Sequence, residues 1–252
     1  MRGRWVAIGA AVLASAFALA GCGTAIASTG APPNTSKATI TYVTIGGSES
    51  TELFSRGAIR MSWPQQLYRA AFGTKGTFVD LAQPGETAAD AVSLDTRLLR
   101  SLHPGLVTIW LNTADLLGRT PVKQFERSLG NLVSVAHATG ATVLLANAPD
   151  LEHFALYQAC VDDPAACGEK GHVLPSAAQL AVAVAAYNKA IASVARSDGA
   201  TVVDVADVLN RVDSSSGGVT GLSGNLTALS ASANAAVEAA FLSQIPPSIR
   251  RK

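Results

Sequence analysis

A serine that directly follows two glycines is the first residue in this chain whose type and position could do chemistry. Ser48 comes after residues 39–45, a run of β-branched and aromatic residues that predicts a buried strand, and after Gly46 and Gly47. Turns at the carboxyl ends of strands in an open α/β sheet are where ligands and active sites gather. Ser48 is therefore a candidate nucleophile for acyl transfer, provided that a base accepts its proton. The alternative is an ordinary Gly-Gly-Ser turn.

The elements that would position this serine alternate along the chain. Strand-like runs are predicted at residues 39–45, 77–82, 106–111, 142–146 and 201–205, and helical patterns at 63–72, 88–102, 121–139, 176–197 and 232–242. Residues 51–62 and 211–224 are predicted to be loop or weakly ordered. Alternation of this kind indicates an α/β fold of three layers, in which a five-stranded parallel sheet has helices on both faces.

The beginning of the chain is expected to be an export signal rather than part of the fold. Arg2 and Arg4 precede an apolar stretch at residues 6–20, which is short for a membrane span. Together with Cys22 this resembles a bacterial lipoprotein signal, which implies that residues 1–21 are removed and that Cys22 is diacylated. The alternative is a plain secretory signal cut near Ala27. Both predict an extracytoplasmic protein, and the first predicts membrane attachment through lipid.

A single domain is expected to follow a flexible tether. Residues 22–37 are rich in Gly, Ser, Thr, Pro and Asn, which is typical of a linker, and residues 38–252 are enough for one compact domain with a sizeable core. The chain has 19 basic and 18 acidic residues, and it has no basic patch of the kind that binds nucleic acid.

Two further cysteines agree with an oxidising compartment. Cys160 and Cys167 lie close together in an irregular insertion at residues 151–175, and we predict that they form a disulfide. A metal site is not predicted, because two thiolates and the nearby His172 fall short of a four-ligand zinc set. No cofactor is predicted either.

Loops after the strands resemble, in their order and spacing, the conserved blocks of the SGNH/GDSL hydrolases. The first is Gly46-Gly47-Ser48, the second is residues 84–87 with Gly85, and residues 107–111 lead into the third. The resemblance implies a flavodoxin-like fold and serine esterase or acyl hydrolase chemistry. It also implies that the oxyanion is bound by the backbone N–H groups of Ser48 and Gly85 and by an asparagine side chain from the third block.

Two of the blocks depart from the family pattern. The third block, residues 112–115, has Ala114 where the family has its donor asparagine, and Asn112, two residues earlier, is a candidate substitute for that oxyanion donor. In the last block, Thr227 and Ser230 occupy the positions of the family's aspartate and histidine. A serine cannot act as a general base near neutral pH, so the usual triad is incomplete.

One histidine is a candidate for the missing base. His153 follows the fourth predicted strand, on the same rim of the sheet as Ser48, with Asp150 and Glu152 beside it. The alternative is a solvated loop histidine.

The sequence therefore leaves three functions open. The first is a lipid-anchored serine esterase acting on an extracytoplasmic acyl ester. The second is a non-catalytic protein on a degenerate hydrolase fold that binds an acylated lipid or a glycan of the envelope. The third is a purely structural lipoprotein, in which Ser48 is only a turn residue.

Overall fold

A computed structural model describes residues 39–51, 62–153, 155–162, 175–216 and 229–250. The strands are β1 (Ile40–Gly46), β2 (Gly76–Asp80), β3 (Leu106–Trp110), β4 (Thr142–Ala146) and β5 (Thr201–Val203). The helices are α1 (Trp63–Phe72), α2 (Ala88–Leu102), α3 (Thr113–Leu117), α4 (Val122–Ala138), α5 (Ala155–Asp162), α6 (Ala177–Asp198), α7 (Val205–Ser216) and α8 (Ala231–Gln244). The predicted lipoprotein signal, Cys22 and the predicted tether lie outside the described residues.

The five strands form one parallel sheet in the order β2-β1-β3-β4-β5. Val43 of β1 is paired with Val79 of β2 on one side and with Val107 of β3 on the other. The predicted five-stranded parallel sheet is confirmed. From β1 the chain passes to β2 at one edge of the sheet, and it then crosses back to form β3 on the other side of β1. The direction in which successive strands are added to the sheet therefore changes between β1 and β3. The carboxyl ends of β1 and β3 therefore flank the crevice where sheets of this kind bind ligands.

Helices cover both faces of the sheet, because successive side chains of each strand point to opposite sides. Val43, Ile45 and Val107 belong to the core that the sheet shares with α2, α4 and α6. Tyr42 and Trp110 belong to the opposite core, which is shared with α1, α7 and α8. In that second core the rings of Trp63 and Phe241 stack with their centroids 4.3 Å apart. These two cores make the predicted three layers.

The helix α6 is, within the described part of the chain, the one helix long and apolar enough to cross a membrane by length and composition. Its stripe of Leu180, Val184 and Tyr187 is instead buried in the core beneath α4. The apolar stripe of α6 thus packs in the core of the domain.

Three helices were not predicted from the sequence. The helix α7 extends to Ser216, into a segment that its serines and glycines predict to be weakly ordered, because Val205 and Val208 anchor it in the second core. The short helix α3 occupies a predicted loop, and α5 with a 3-10 turn at Leu151–His153 occupies part of the insertion predicted to be irregular. Cys160 lies on α5 and Cys167 lies outside the described residues, so their disulfide stays a prediction.

A buried asparagine holds α1 against the start of α8. The side chain of Asn234 is 4% exposed. Its Oδ1 accepts a hydrogen bond from the backbone N–H of Trp63 at 2.8 Å, and its Nδ2 donates to the carbonyls of Leu229 at 3.0 Å and Ser230 at 3.1 Å. This side chain therefore satisfies an N–H group at the beginning of α1, which no bond within the helix can satisfy.

We expect the Asn234→Ala variant to lose about 2–4 kcal/mol of unfolding free energy, because the N–H of Trp63 and the carbonyl of Leu229 would lose a buried partner. Urea denaturation of the two proteins measures this loss. Ser243→Ala, at an exposed position of the same helix, is the control and should change stability by less than about 0.5 kcal/mol. Equal midpoints for wild type and Asn234→Ala would contradict the assigned role.

Candidate active site

The turn that carries Ser48 is fixed by the end of β1. The N–H of Gly47 donates to the carbonyl of Trp110 on β3 at 3.2 Å, and the N–H of Ser50 donates to the carbonyl of Gly47 at 3.0 Å. The chain then makes a 3-10 turn over Ser48–Ser50. Residue 46 has to be glycine here, because a side-chain carbon at that position would overlap Ser50. Ser48 is half-buried just after the carboxyl end of β1.

The loop after β2 brings Gly85 to the same end of the sheet. The N–H of Gln83 donates to the carbonyl of Gly46 at 2.9 Å, and the N–H of Glu86 donates to the carbonyl of Gln83 at 3.1 Å. Gly85 adopts a φ of 76°, in the left-handed region that favours glycine. The turn is thus closed tightly against the end of β1.

The third loop follows β3 and leads directly into α3. Asn112 is 1% exposed, and its Nδ2 donates to the carbonyl of Asn147, after β4, at 3.3 Å. Asp115 accepts a hydrogen bond from the N–H of Ala88 at 2.8 Å through its Oδ2 and so joins α3 to the first turn of α2. This contact holds the second and third loops together.

These three loops enclose a pocket of about 90 Å³. Residues from all three strand ends line it: Gly47, Ser48, Glu49, Gly85, Glu86, Asn112, Thr113, Ala114 and Leu117. Ser48, Gly85 and Asn112, which were selected from the sequence, therefore lie around one cavity, as does Ala114. Ala114 brings only a methyl group to this cavity, at the position that the sequence resemblance predicts for the family's amide donor.

The ionisable side chains that line the pocket are two glutamates. Glu49 is 6% exposed, and burial raises the pKa of its carboxyl, while a hydrogen bond from Thr113 acts in the opposite direction. Burial, followed by the charges of Asp95 and Asp90, raises the pKa of Glu86 to about 8. No lysine, arginine or histidine of the described chain lines this cavity. Its carboxyls therefore favour the protonated form more than ordinary glutamates do.

Further carboxyls are buried on α2 and α3. Asp95, on α2, is 2% exposed, and burial raises its pKa to about 6. Both carboxyl oxygens of Glu86, Oδ2 of Asp95 and Oδ1 of Asp115 are enclosed and lack a hydrogen-bond partner among the described residues. A buried group of acids without a compensating cation is costly to ionise.

Other residues selected from the sequence lie elsewhere or outside the description. Ser230 is the N-cap of α8, and its Oγ accepts a hydrogen bond from the N–H of Ala233 at 3.1 Å. His153 ends the 3-10 turn after β4, but its side chain is not described, and Thr227 lies outside the described residues. The substitute base proposed at His153 thus stays a prediction.

Fold and sequence place the chain in a known family. Residues 41–219 match the model of the GDSL-like lipase/acylhydrolase family, and the chain belongs to that family of SGNH hydrolases.

Several solved structures share the fold. A crystal structure of TesA is 20% identical with a TM-score of 0.60, covering 82% of this chain and 98% of its own. The acetylxylan esterase Axe2 of Geobacillus stearothermophilus is 16% identical with a TM-score of 0.62, covering 84% and 97%. The psychrotrophic esterase EstA of Pseudoalteromonas sp., inhibited by monoethylphosphonate, is 16% identical with a TM-score of 0.56, covering 81% and 94%. No curated protein matches the chain in sequence.

Sequence reasoning missed Glu49 and Thr113 as residues of the pocket. Glu49 was visible as the residue after the candidate nucleophile, but an acidic residue in a turn normally points to solvent. Thr113 gave no signal of its own. Both are brought to the cavity by the 3-10 turn and by α3, two short elements that lack a periodic pattern.

Proposed function

We propose that this chain is a serine esterase or acyl hydrolase of the SGNH type that uses Ser48 as its nucleophile. The observation that supports this most is that Ser48, Gly85 and Asn112, from three different loops, line one small pocket. Its volume of about 90 Å³ favours a short acyl group over a long chain.

The proposed reaction proceeds through an acyl-enzyme. Ser48 Oγ attacks the ester carbonyl, the alcohol leaves, and water then releases the acid. The N–H groups of Ser48 and Gly85 stabilise the negative charge on the carbonyl oxygen. Ala114 supplies no third donor, and the loss of one such donor typically slows a reaction by about 10²–10³-fold. We therefore expect slow turnover.

We further propose that the enzyme works outside the cytoplasm and is attached to the membrane by lipid on Cys22. The support is the sequence: two arginines, an apolar stretch and the cysteine at the head of a polar tether. Its substrate would then be an acyl ester of an envelope lipid or glycan. Metabolic labelling with a fatty-acid analogue, compared between the full chain and Cys22→Ala, tests the attachment.

The proposed activity predicts that Ser48→Ala abolishes hydrolysis of p-nitrophenyl acetate by the full chain in detergent. Ser48 Oγ forms the covalent bond in this mechanism, so nothing replaces it. Release of p-nitrophenol above the buffer rate, followed at 400 nm, is the measurement. Ser101→Ala, at an exposed position near the end of α2, is the matched control and should hydrolyse the ester at the wild-type rate.

Equal rates for wild type and Ser48→Ala would overturn the esterase. They would favour the second candidate function, a protein that binds an acylated lipid or glycan without hydrolysing it. This alternative is supported by Ser230, which the sequence resemblance aligns with the family's histidine and which is the N-cap of α8. Calorimetric titration with acetylated glycans and envelope lipids would then measure affinity directly.

A further inference from the structure

The Ser48 pocket contains a carboxyl group from the residue that directly follows the serine. Glu49 lies in the 3-10 turn directly after Ser48, and its side chain lines the same cavity. Its Oε2 occupies the space next to Gly47: a side-chain carbon built on Gly47 would lie 2.9 Å from that oxygen. The carboxyl therefore bends back along the turn towards the residue before the nucleophile instead of pointing into solvent.

Thr113 lies beside this carboxyl. It also lines the pocket, and its side chain acts to lower the pKa of the Glu49 carboxyl, against the larger effect of burial. Its hydroxyl donates to Oδ1 of Asn112 at 3.5 Å. Thr113 is the first residue of α3, whose position is fixed by the bond between Asp115 and Ala88. Glu49 is thus a buried acid next to a polar side chain on a fixed helix.

The second glutamate of the pocket does not have the same access. Both carboxyl oxygens of Glu86 are enclosed and unpartnered among the described residues, and Asp95 and Asp90 of α2 are the charges that act on them. The carboxyl of Glu86 is thus buried beside other acids. Of the two glutamates, Glu49 is the one placed to act on Ser48.

We infer that Glu49 is the general base of this site, an inference that rests on the esterase function proposed above. The Glu49 carboxylate accepts the proton of Ser48 Oγ as the oxygen bonds to the acyl carbon. The resulting carboxylic acid gives that proton to the leaving alkoxide as the ester C–O bond breaks. In the second half, Glu49 accepts a proton from water, water bonds to the acyl carbon, and the proton passes to Ser48 Oγ as the acyl bond to it breaks.

The surroundings of Glu49 set the pH at which it works. Glu86, from the β2–α2 loop, is the other ionisable side chain that lines the same pocket, and Asp115 lies on α3, the helix that Thr113 begins; both are acidic. Burial raises the pKa of Glu49 above its ordinary range, which brings a carboxyl closer to the value that suits a base near neutral pH. Only the ionised form accepts a proton, so the reaction should speed up as pH rises through that pKa.

The test is the rate at which a fluorophosphonate probe labels Ser48 in the full chain, measured by mass spectrometry from pH 5 to pH 9. We expect wild type to be labelled with a rate that rises with pH. Glu49→Gln keeps the size of the side chain but cannot accept a proton, so its rate should fall by about 10²–10⁴-fold and lose the pH dependence. Glu126→Gln, on α4 and outside the pocket, is the matched control and should behave like wild type.

A second variant moves the carboxyl without removing it. Gly47→Ala should displace Oε2 of Glu49 and slow labelling at least tenfold, while circular dichroism shows the fold unchanged. Labelling of Glu49→Gln at the wild-type rate, with the same pH profile, would overturn the assignment of Glu49 and leave the esterase standing. Absence of labelling at Ser48 in wild type would overturn the esterase itself and the inference with it.

Discussion

Replacement of Ala114 by asparagine should raise the rate of ester hydrolysis by about 100-fold. Ala114 lines the pocket together with Ser48 and Gly85, and its side chain offers no hydrogen-bond donor to the carbonyl oxygen of a substrate. An asparagine at this position would add an amide N–H on the wall of the cavity. Removal of one such donor from a hydrolase typically costs about 10²–10³-fold, because the donor acts on charge that develops in the transition state. Its addition should recover much of that factor.

The gain should appear in kcat more than in KM, since a donor for the oxyanion is used in the transition state. Steady-state hydrolysis of p-nitrophenyl acetate measures both constants. Ala114→Leu, which enlarges the side chain similarly but adds no donor, is the matched control and should give no increase. An asparagine variant no faster than the leucine variant would show that the wall at residue 114 does not face the oxyanion.

The free energy of unfolding should fall as pH rises from 5 to 9. Burial and the nearby Asp95 and Asp90 raise the pKa of Glu86 from 4.5 to about 8, and burial raises that of Asp95 from 3.8 to about 6. The folded chain therefore holds protons that the unfolded chain has released. Stability from these groups is complete below about pH 4 and is lost as pH rises through about 6 and 8.

Each unit by which a pKa is raised on folding corresponds to about 1.4 kcal/mol of unfolding free energy. Relaxation of the Gly85 loop around ionised Glu86 and Asp95 reduces the total loss of stability. We expect a loss of about 3–5 kcal/mol between pH 5 and pH 9. Urea denaturation at pH 5, 7 and 9 measures it, and the double variant Glu86→Gln, Asp95→Asn should flatten the dependence. Glu126→Gln should keep the wild-type slope. Stability that increases over this range would contradict the arrangement of buried acids.

Much of the fold could be predicted because its elements are long and periodic. The runs that became β1 and β3 consist mainly of apolar and β-branched residues, as expected of strands covered on both faces, and α4 carries its buried residues at helical spacing. The missed helices had weaker signals. The serines at the end of α7 have low helix propensity, so the sequence predicted no helix there. The packing of Val205 and Val208 in the second core outweighs that low propensity.

The site could be predicted only where it depends on strand ends. Ser48, Gly85 and Asn112 each follow a strand, and the parallel sheet brings their loops to one edge. The direction of a side chain in a short turn is set by tertiary contacts, so the position of the Glu49 carboxyl could not be predicted. For the same reason the enclosed group of Glu86, Asp95 and Asp115 gave no pattern in the sequence.

Residues 47 and 49 share one volume beside the turn, so the residue type at one of them affects which residue types fit at the other. The family turn resembles Gly-Asp-Ser, with an aspartate at the position of Gly47. Because the end of the Glu49 side chain fills the volume that a side chain at residue 47 would need, any such side chain makes the Glu49 carboxyl move. Relatives with glutamate after the serine should therefore favour glycine before it. Those with aspartate before the serine should be free to accept other residues after it, a covariation that an alignment of the family can reveal.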